Sequence, residues 1–155
     1  MENETFDIAS LIHNGGVIDG VEGNSPEEIY ANICNAIKLP EGMEAKQIYD
    51  ALCAREKILS TAVGNGIALP HARAPIIKNE EDQKIVVAYL KEPVDMDAPD
   101  DRKVKVMFVL LTQNPQTHLK VLSSLVALLR KQSFKQLLDN HASEDQLINS
   151  IKELV

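Results

Sequence analysis

The most informative part of the sequence is the run Gly64-Asn65-Gly66-Ile67-Ala68-Leu69-Pro70-His71. Glycines on both sides of an asparagine favour positive φ angles, so the run predicts a tight turn between two short extended segments. These segments are Ser60–Val63 and Ile67–Leu69. Proline fixes its own φ and keeps the preceding residue extended. We therefore expect His71 to project from the end of a rigid strand, where active sites of α/β folds often lie.

Two longer strands are predicted after this turn. Ile85–Leu90 is dense in β-branched residues, and Val104–Leu111 contains a continuous apolar run from Val106. A strand that is apolar on both faces is typical of the centre of a sheet covered on both sides. The segment between them, Pro93–Asp101, carries two prolines and four aspartates and predicts a loop.

Helices are predicted on both sides of these strands. Ser25-Pro26-Glu27-Glu28 has the capping pattern of a helix start, and a second helix is predicted over Glu44–Glu56. Three more are predicted over Asn114–Lys131, Ser133–Asn140 and Ser143–Leu154. This order predicts an α/β fold: a single domain over residues 1–155, with a mixed β-sheet sandwiched between helices.

Other segments give narrower expectations. Phe6–Ile12 fits a short helix or an edge segment, and Val17-Ile18 fits a short strand. Cys34 and Cys53 lie within apolar helical patterns, so we expect buried thiols rather than a disulfide or a zinc site. The helix after Asn114 has an apolar stripe that we expect to face the core, formed by Leu119, Leu122, Leu125, Val126 and Leu129.

Composition excludes several classes of function. The 155 residues are 45% hydrophobic and 25% charged, which is typical of a globular protein, and the net charge of −7 argues against nucleic acid binding. The longest apolar run, Val106–Leu111, is far shorter than the roughly 20 residues that span a membrane. The acidic start, Met1–Glu4, does not resemble a signal peptide. We therefore expect a cytoplasmic protein without direct membrane insertion.

The candidate chemistry centres on histidine, of which the chain has four: His13, His71, His118 and His141. The glycine turn lacks the spacing of a nucleotide P-loop, and no GxSxG motif indicates a hydrolase. A metal site through His71 and His118 would need further ligands that the sequence does not place nearby. From these residues alone, a structural and a functional role for His71 both stay open.

A longer stretch carries a resemblance to a known family. The run from Arg55-Glu56 through Ser60-Thr61 to Gly64–His71 resembles the signature of enzyme IIA domains of the fructose/mannitol class, which belong to the bacterial phosphoenolpyruvate-dependent phosphotransferase system (PTS) and include nitrogen-regulatory enzyme IIA proteins. His118-Leu119 resembles the His-Leu that opens a later helix in that family. The order and spacing of these features match from about Val17 to Leu154.

The resemblance assigns roles to individual residues. It implies that His71 accepts the phosphoryl group, that His118 is the second active-site histidine, and that Arg55 contacts the phosphoryl group. Thr61 is a further candidate as a hydroxyl donor to the phosphate or to the second ring nitrogen of His71. Ala72-Arg73 stands where many relatives have a different residue pair after the histidine, and two roles for Arg73 stay open: it supplies positive charge near the site, or it is simply exposed. No metal or other cofactor is implied.

The function implied is phosphotransferase activity between proteins. His71 would take a phosphoryl group from HPr or a paralogous phosphocarrier and pass it to an enzyme IIB, which can act with a membrane IIC component. One alternative is a regulatory enzyme IIA whose phosphorylation state controls binding to target proteins. Another is an interaction domain that no longer transfers phosphate. Nothing in the residues decides between sugar uptake and regulation.

Overall fold

The computed structural model describes residues 7–73 and 76–154, and within them the chain forms six α-helices and a five-stranded sheet. The helices are α1 (Ile8–Gly15), α2 (Pro26–Ala36), α3 (Ala45–Glu56), α4 (Pro115–Leu129), α5 (Gln132–Asp139) and α6 (Glu144–Leu154). The strands are β1 (Val17–Val21), β2 (Ala62–Gly64), β3 (Ile67–Ala68), β4 (Lys84–Val94) and β5 (Val104–Leu111), and a 3₁₀ turn covers Glu80–Asp82.

The sheet is mixed, with the strand order β1-β4-β5-β3-β2. β4 runs antiparallel to β5, β2 runs antiparallel to β3, and the β1–β4 and β3–β5 pairs are parallel. β5 therefore lies at the centre, as its apolar run predicts. The sheet separates two hydrophobic clusters, since side chains alternate along the strand: Val106 and Phe108 face one cluster, and Met107 and Val109 face the other.

Helices cover both faces of the sheet. The cluster on one side contains buried residues of α1, α4, α5 and α6, and the cluster on the other side contains buried residues of α2 and α3. The prediction of a mixed sheet between helical layers is confirmed.

The predicted helix starts are confirmed by their capping hydrogen bonds. Ser25 Oγ accepts from the Glu28 amide at 3.2 Å, and Ser143 and Gln146 exchange the two bonds of a capping box. Near the N-terminus, α1 begins at Ile8, which settles the choice for Phe6–Ile12 in favour of a helix over the part that is described, while Phe6 itself lies outside the described residues.

The end of β4 differs from the prediction. β4 continues to Val94, so Pro93 belongs to a strand rather than to the predicted loop. The register between β4 and β5 shifts between Tyr89 and Val94, and a proline is tolerated where the ladder of hydrogen bonds is interrupted.

Cys34 is buried as expected but Cys53 is only partly so, and both are free thiols.

The expectation for Leu119 is wrong. Its side chain is 64% exposed, whereas Leu125 and Leu129 of the predicted stripe are buried, together with Val121 and Leu128. Leu119 lies in the second turn of the helix, at the end of the sheet, where no other element covers it in the part of the chain that is described.

In the segments 7–73 and 76–154, no helix has the combination of length and apolar character needed to cross a membrane.

Candidate functional site

The glycine turn positions His71 through strand β3. Gly64, Asn65 and Gly66 all have positive φ angles, of 98°, 58° and 78°, and together they reverse the chain between β2 and β3. After β3, His71 forms an isolated parallel bridge with Leu110 of β5, and the Leu110 amide donates to the Pro70 carbonyl at 2.9 Å. His71 thus lies at the carboxyl end of the β3–β5 pair, as the sequence predicts.

The ring of His71 is held by its own strand. Nδ1 lies 2.8 Å from the Leu69 carbonyl oxygen. Because a carbonyl only accepts hydrogen bonds, Nδ1 carries the hydrogen and Nε2 keeps the free lone pair. Burial lowers the pKa of His71, and the positive charge of Arg55 lowers it further, while the Leu69 bond and Glu56 oppose them. The imidazole is therefore neutral at pH 7, with Nε2 as its nucleophilic atom.

The second histidine of the site comes from α4. The ring centroids of His71 and His118 are 4.7 Å apart, and His118 Nδ1 lies 3.2 Å from Thr112 Oγ1. Burial lowers the pKa of His118, and electrostatic interactions with the neighbouring His71 ring and with Arg55 lower it further. Asn114 already accepts from the backbone amides of Thr117 and His118. The imidazole of His118 is the group of α4 that contacts His71.

Arg55 and the two histidines line one cleft of about 290 Å³. Arg55 belongs to the last turn of α3, and its Nη1 donates to the Leu59 carbonyl, which fixes the direction of the guanidinium group. The other lining residues are Ala72, Arg73, Ile76, Leu110, Leu111, Thr112, Pro115 and Leu119. Across residues 7–73 and 76–154, no group of three or more His, Cys, Asp or Glu side chains is arranged to hold a metal ion. The cleft combines two neutral imidazoles with permanent positive charge.

Thr61 is placed differently from the other predicted residues. Its side chain is buried, and its hydroxyl donates to Glu56 Oε1 at 2.8 Å, while its amide donates to Glu56 Oε2 at 3.0 Å. The same carboxylate accepts from the Tyr30 hydroxyl at 2.7 Å. Glu56 therefore ties the end of α3 to the start of the β2–β3 hairpin, and His71 Nδ1 is bonded to Leu69 instead of Thr61. A phosphate-binding role of Thr61 stays a prediction.

Sequence reasoning missed three residues of this region: Glu56, Thr112 and Leu119. Glu56 is the neighbour of Arg55, and Thr112 is the first residue after β5. A polar residue at the carboxyl end of a central strand is a signal that could have found Thr112, because ligand sites of α/β sheets lie at such ends. Leu119 follows His118, and its apolar type alone suggested the core.

Comparison with protein-family models places the chain in one family. Residues 10–154 match the EIIA 2 family of the phosphoenolpyruvate-dependent sugar phosphotransferase system. The chain belongs to this family. The resemblance predicted from the run ending at His71 is thereby confirmed, and an EIIA 2 chain is a component of a phosphotransferase system.

Two relatives of this EIIA 2 chain carry different names. It is 31% identical over 151 residues to a nitrogen regulatory protein of Pseudomonas aeruginosa, a match that covers 95% of this chain and 96% of that protein. It is 27% identical over 149 residues to the fructose-specific EIIABC component of the Bacillus subtilis PTS, which covers 94% of this chain but 23% of that longer protein.

Solved structures give the same picture of the EIIA 2 fold. The nitrogen regulatory protein IIA-Ntr of Neisseria meningitidis superposes with a TM-score of 0.76 at 26% identity, over 93% of this chain and 98% of that one. Enzyme IIA-Mtl of Escherichia coli, solved in complex with phosphorylated enzyme IIB-Mtl, gives a TM-score of 0.69 at 19% identity, over 89% and 94% of the two chains. The second likeness concerns the fold alone.

Proposed function

We propose that this protein is a phosphoryl carrier in which Nε2 of His71 accepts a phosphoryl group from a phosphohistidine of HPr or a paralogous phosphocarrier. The observation that carries the proposal is the 2.8 Å bond between His71 Nδ1 and the Leu69 carbonyl. It leaves the Nε2 lone pair free to attack phosphorus, as the bond from phosphorus to the donor's ring nitrogen breaks and that nitrogen keeps the electron pair. A depressed pKa supports the same step, since only the neutral ring is a nucleophile.

Charge in the cleft supports the transfer. Phosphoryl transfer depends on in-line positioning and on stabilisation of negative oxygens more than on proton chemistry. Arg55 offers planar, permanently charged donors for those oxygens, and its bond to Leu59 orients them. His118 lies within ring contact of His71 and adds a further hydrogen-bond donor. Arg73 lines the same cleft and adds positive charge at its rim.

The surface beside the cleft supports docking of a protein. Three large apolar side chains are exposed there, Ile58 by 61%, Leu59 by 68% and Leu119 by 64%. Leu119 lines the cleft, and the Leu59 carbonyl is bonded to Arg55. Exposed apolar groups clustered at a reactive centre are typical of a protein interface. We infer that the phosphocarrier binds this apolar rim, that an enzyme IIB uses the same rim, and that both transfers take place in the cytoplasm.

A regulatory use of the same transfer is the second candidate. The nitrogen regulatory protein of Pseudomonas aeruginosa is 31% identical to this chain, and the fructose-specific EIIABC component of Bacillus subtilis is 27% identical. This supports a protein whose phosphorylation state controls its binding to target proteins. Phosphoryl transfer to His71 is common to both uses.

The test of the proposal is incubation with phosphoenolpyruvate, enzyme I and HPr, followed by intact mass spectrometry. The expected result is a gain of one acid-labile phosphate, absent in His71→Ala. His141→Ala is the matched control, because it removes a histidine away from the cleft, and it should still gain the phosphate. An unmodified mass with cognate partners would support an interaction domain without transfer.

The two uses are separated by the next step. Addition of the cognate enzyme IIB to the phosphorylated protein should discharge it if the use is sugar uptake. In the regulatory use, affinity capture from the native cytoplasm should recover different partners with the phosphorylated protein and with His71→Ala.

A further inference from the structure

Thr112 is a buried hydroxyl with one partner. It follows β5 directly, its side chain is 4% exposed, and its Oγ1 lies 3.2 Å from Nδ1 of His118. Within residues 7–73 and 76–154, this is the one hydrogen bond that the Thr112 hydroxyl makes.

The two histidines of the cleft are anchored in parallel ways by partners of different chemistry. Both rings use Nδ1, so both Nε2 atoms lie on the ring edge away from the anchor. The partner of His71 is a carbonyl, which only accepts, and this fixes hydrogen on Nδ1. The partner of His118 is a hydroxyl, which can donate or accept. The direction of that second bond decides which nitrogen of His118 carries hydrogen.

Burial sets the direction of the bond. If the Thr112 hydroxyl accepted from Nδ1–H, its own hydrogen would be left without an acceptor inside the protein, which is unfavourable for a buried group. If it donates to Nδ1, the hydroxyl is satisfied and the ring hydrogen lies on Nε2. The second arrangement also suits the site, because an Nε2 lone pair would repel a phosphoryl oxygen whereas an Nε2–H donates to it.

We propose that Thr112 is a positioning residue, which donates to Nδ1 of His118 and holds this ring in the Nε2–H form so that it hydrogen-bonds a phosphoryl oxygen carried by His71. The proposal rests on the proposed function for the phosphoryl group, but the hydrogen on His118 can be observed without it. Adjacent rings then have complementary forms: His71 offers a lone pair and His118 offers a hydrogen. Neither ring needs to become a positively charged imidazolium beside Arg55.

The direct test is ¹⁵N NMR of the two rings, at a pH where both are neutral. In the wild-type protein we expect hydrogen on Nε2 of His118 and on Nδ1 of His71. In Thr112→Val, which keeps the shape and removes the hydroxyl, His118 should become a mixture of both forms while His71 is unchanged. Hydrogen on Nδ1 of His118 in the wild type would overturn the proposal.

The kinetic test is the rate of phosphoryl uptake from phospho-HPr. Thr112→Val should be slower by about tenfold, as for one lost hydrogen bond, and Thr112→Ser should restore most of the rate. Thr117→Val is the matched control, since Thr117 is also buried and its hydroxyl makes no bond to His118. Thermal melts establish that each variant is folded. An unchanged rate in a folded Thr112→Val, or no rescue by serine, would overturn the role.

The NMR and kinetic experiments distinguish failure of the Thr112 proposal from failure of the proposed function. If the wild-type protein takes up no phosphate, the proposed function fails, while the NMR experiment still decides how Thr112 holds His118.

Discussion

The four histidines form two pairs in opposite surroundings. His71 and His118 lie in ring contact inside a cleft, next to Arg55, and are bonded to a carbonyl and a hydroxyl. His13 and His141 lie on the surface, with side chains 73% and 43% exposed, and each is bonded to a carboxylate. The same residue type thus occurs in a neutral pair and in an outer pair that forms ion pairs whenever the imidazole is protonated.

The outer pair connects elements of the fold. His13 Nδ1 lies 2.9 Å from Glu144 and joins α1 to α6, and His141 Nδ1 lies 3.0 Å from Asp19 and joins the α5–α6 turn to β1. His141 also stacks on Tyr89, with ring centroids 4.5 Å apart. The cleft histidines and the surface histidines therefore differ in the partner of Nδ1 and in the charge nearby. These surroundings, and not the residue type, distinguish a candidate reactive histidine from a structural one.

The largest expected effect tests this division directly. Each histidine is replaced by glutamine in turn, and phosphate uptake is followed by intact mass. His71→Gln should abolish uptake because it removes the nucleophile. His118→Gln should slow uptake, because the flexible glutamine chain does not hold its N–H donor in the fixed position of the ring. His13→Gln and His141→Gln should match the wild type, and a loss of uptake in either would break the comparison.

Arg55 should have the next largest effect. Arg55→Ala removes the permanent charge from the cleft and should slow uptake by about 10²–10³-fold, as for other preorganised groups that stabilise transferring charge. Arg55→Lys should recover only part of the rate, since an ammonium lacks the planar fork. Rates are measured with phospho-HPr in single-turnover mode. Near-normal rates in a folded Arg55→Ala would remove this residue from the mechanism.

The pH dependence should distinguish the cleft pair by NMR titration. Burial and Arg55 lower the pKa of His71 and His118, so both rings should stay neutral down to a pH below the ordinary value of about 6.5. The stability linked to these shifts is present above that ordinary value and is lost as the pH falls through the folded-state pKa values. Arg55→Ala should move both titrations to higher pH. Midpoints at or above the ordinary value would contradict the site as described.

The smallest effect is expected from the outer pair. Exposed ion pairs contribute less than about 1 kcal/mol each, so His13→Gln should lower the free energy of unfolding only slightly. His141→Gln should cost somewhat more, because it also removes the ring stacked on Tyr89. Urea denaturation at neutral and mildly acidic pH measures both. A loss of several kcal/mol for His13→Gln would mean that it does more than pair with Glu144.

Much of the fold follows from patterns that act over short distances. The capping residues Ser25 and Ser143, the glycine turn at 64–66 and the apolar run of β5 each predict an element that the structure contains. Pro93 misled the prediction of β4, because its tolerance depends on a register shift against a partner strand. Leu119 misled the prediction of the core, because helical periodicity does not tell where the neighbouring layer ends.

The site was predictable only in part, for a similar reason. The run ending at His71 gave its strand-end position, and the resemblance pointed to Arg55 and His118. The hydrogen bonds from Thr61 to Glu56 and from Thr112 to His118 could not be predicted, because each joins two elements whose packing the sequence does not give. Which ring nitrogen is free likewise depends on the path of the backbone at Leu69.

The bond from His71 Nδ1 to the Leu69 carbonyl has a consequence for the order in which partner proteins bind. On the proposed function, Nε2 is the single point of entry and exit for the phosphoryl group, so the donor and the acceptor must approach along the same line. The donor and the acceptor therefore compete for the same binding site and cannot occupy it at the same time. An excess of unphosphorylated HPr should then slow phosphoryl transfer from His71 to the acceptor. The fraction of His71 that is phosphorylated would depend on the relative rates of transfer from the donor and transfer to the acceptor.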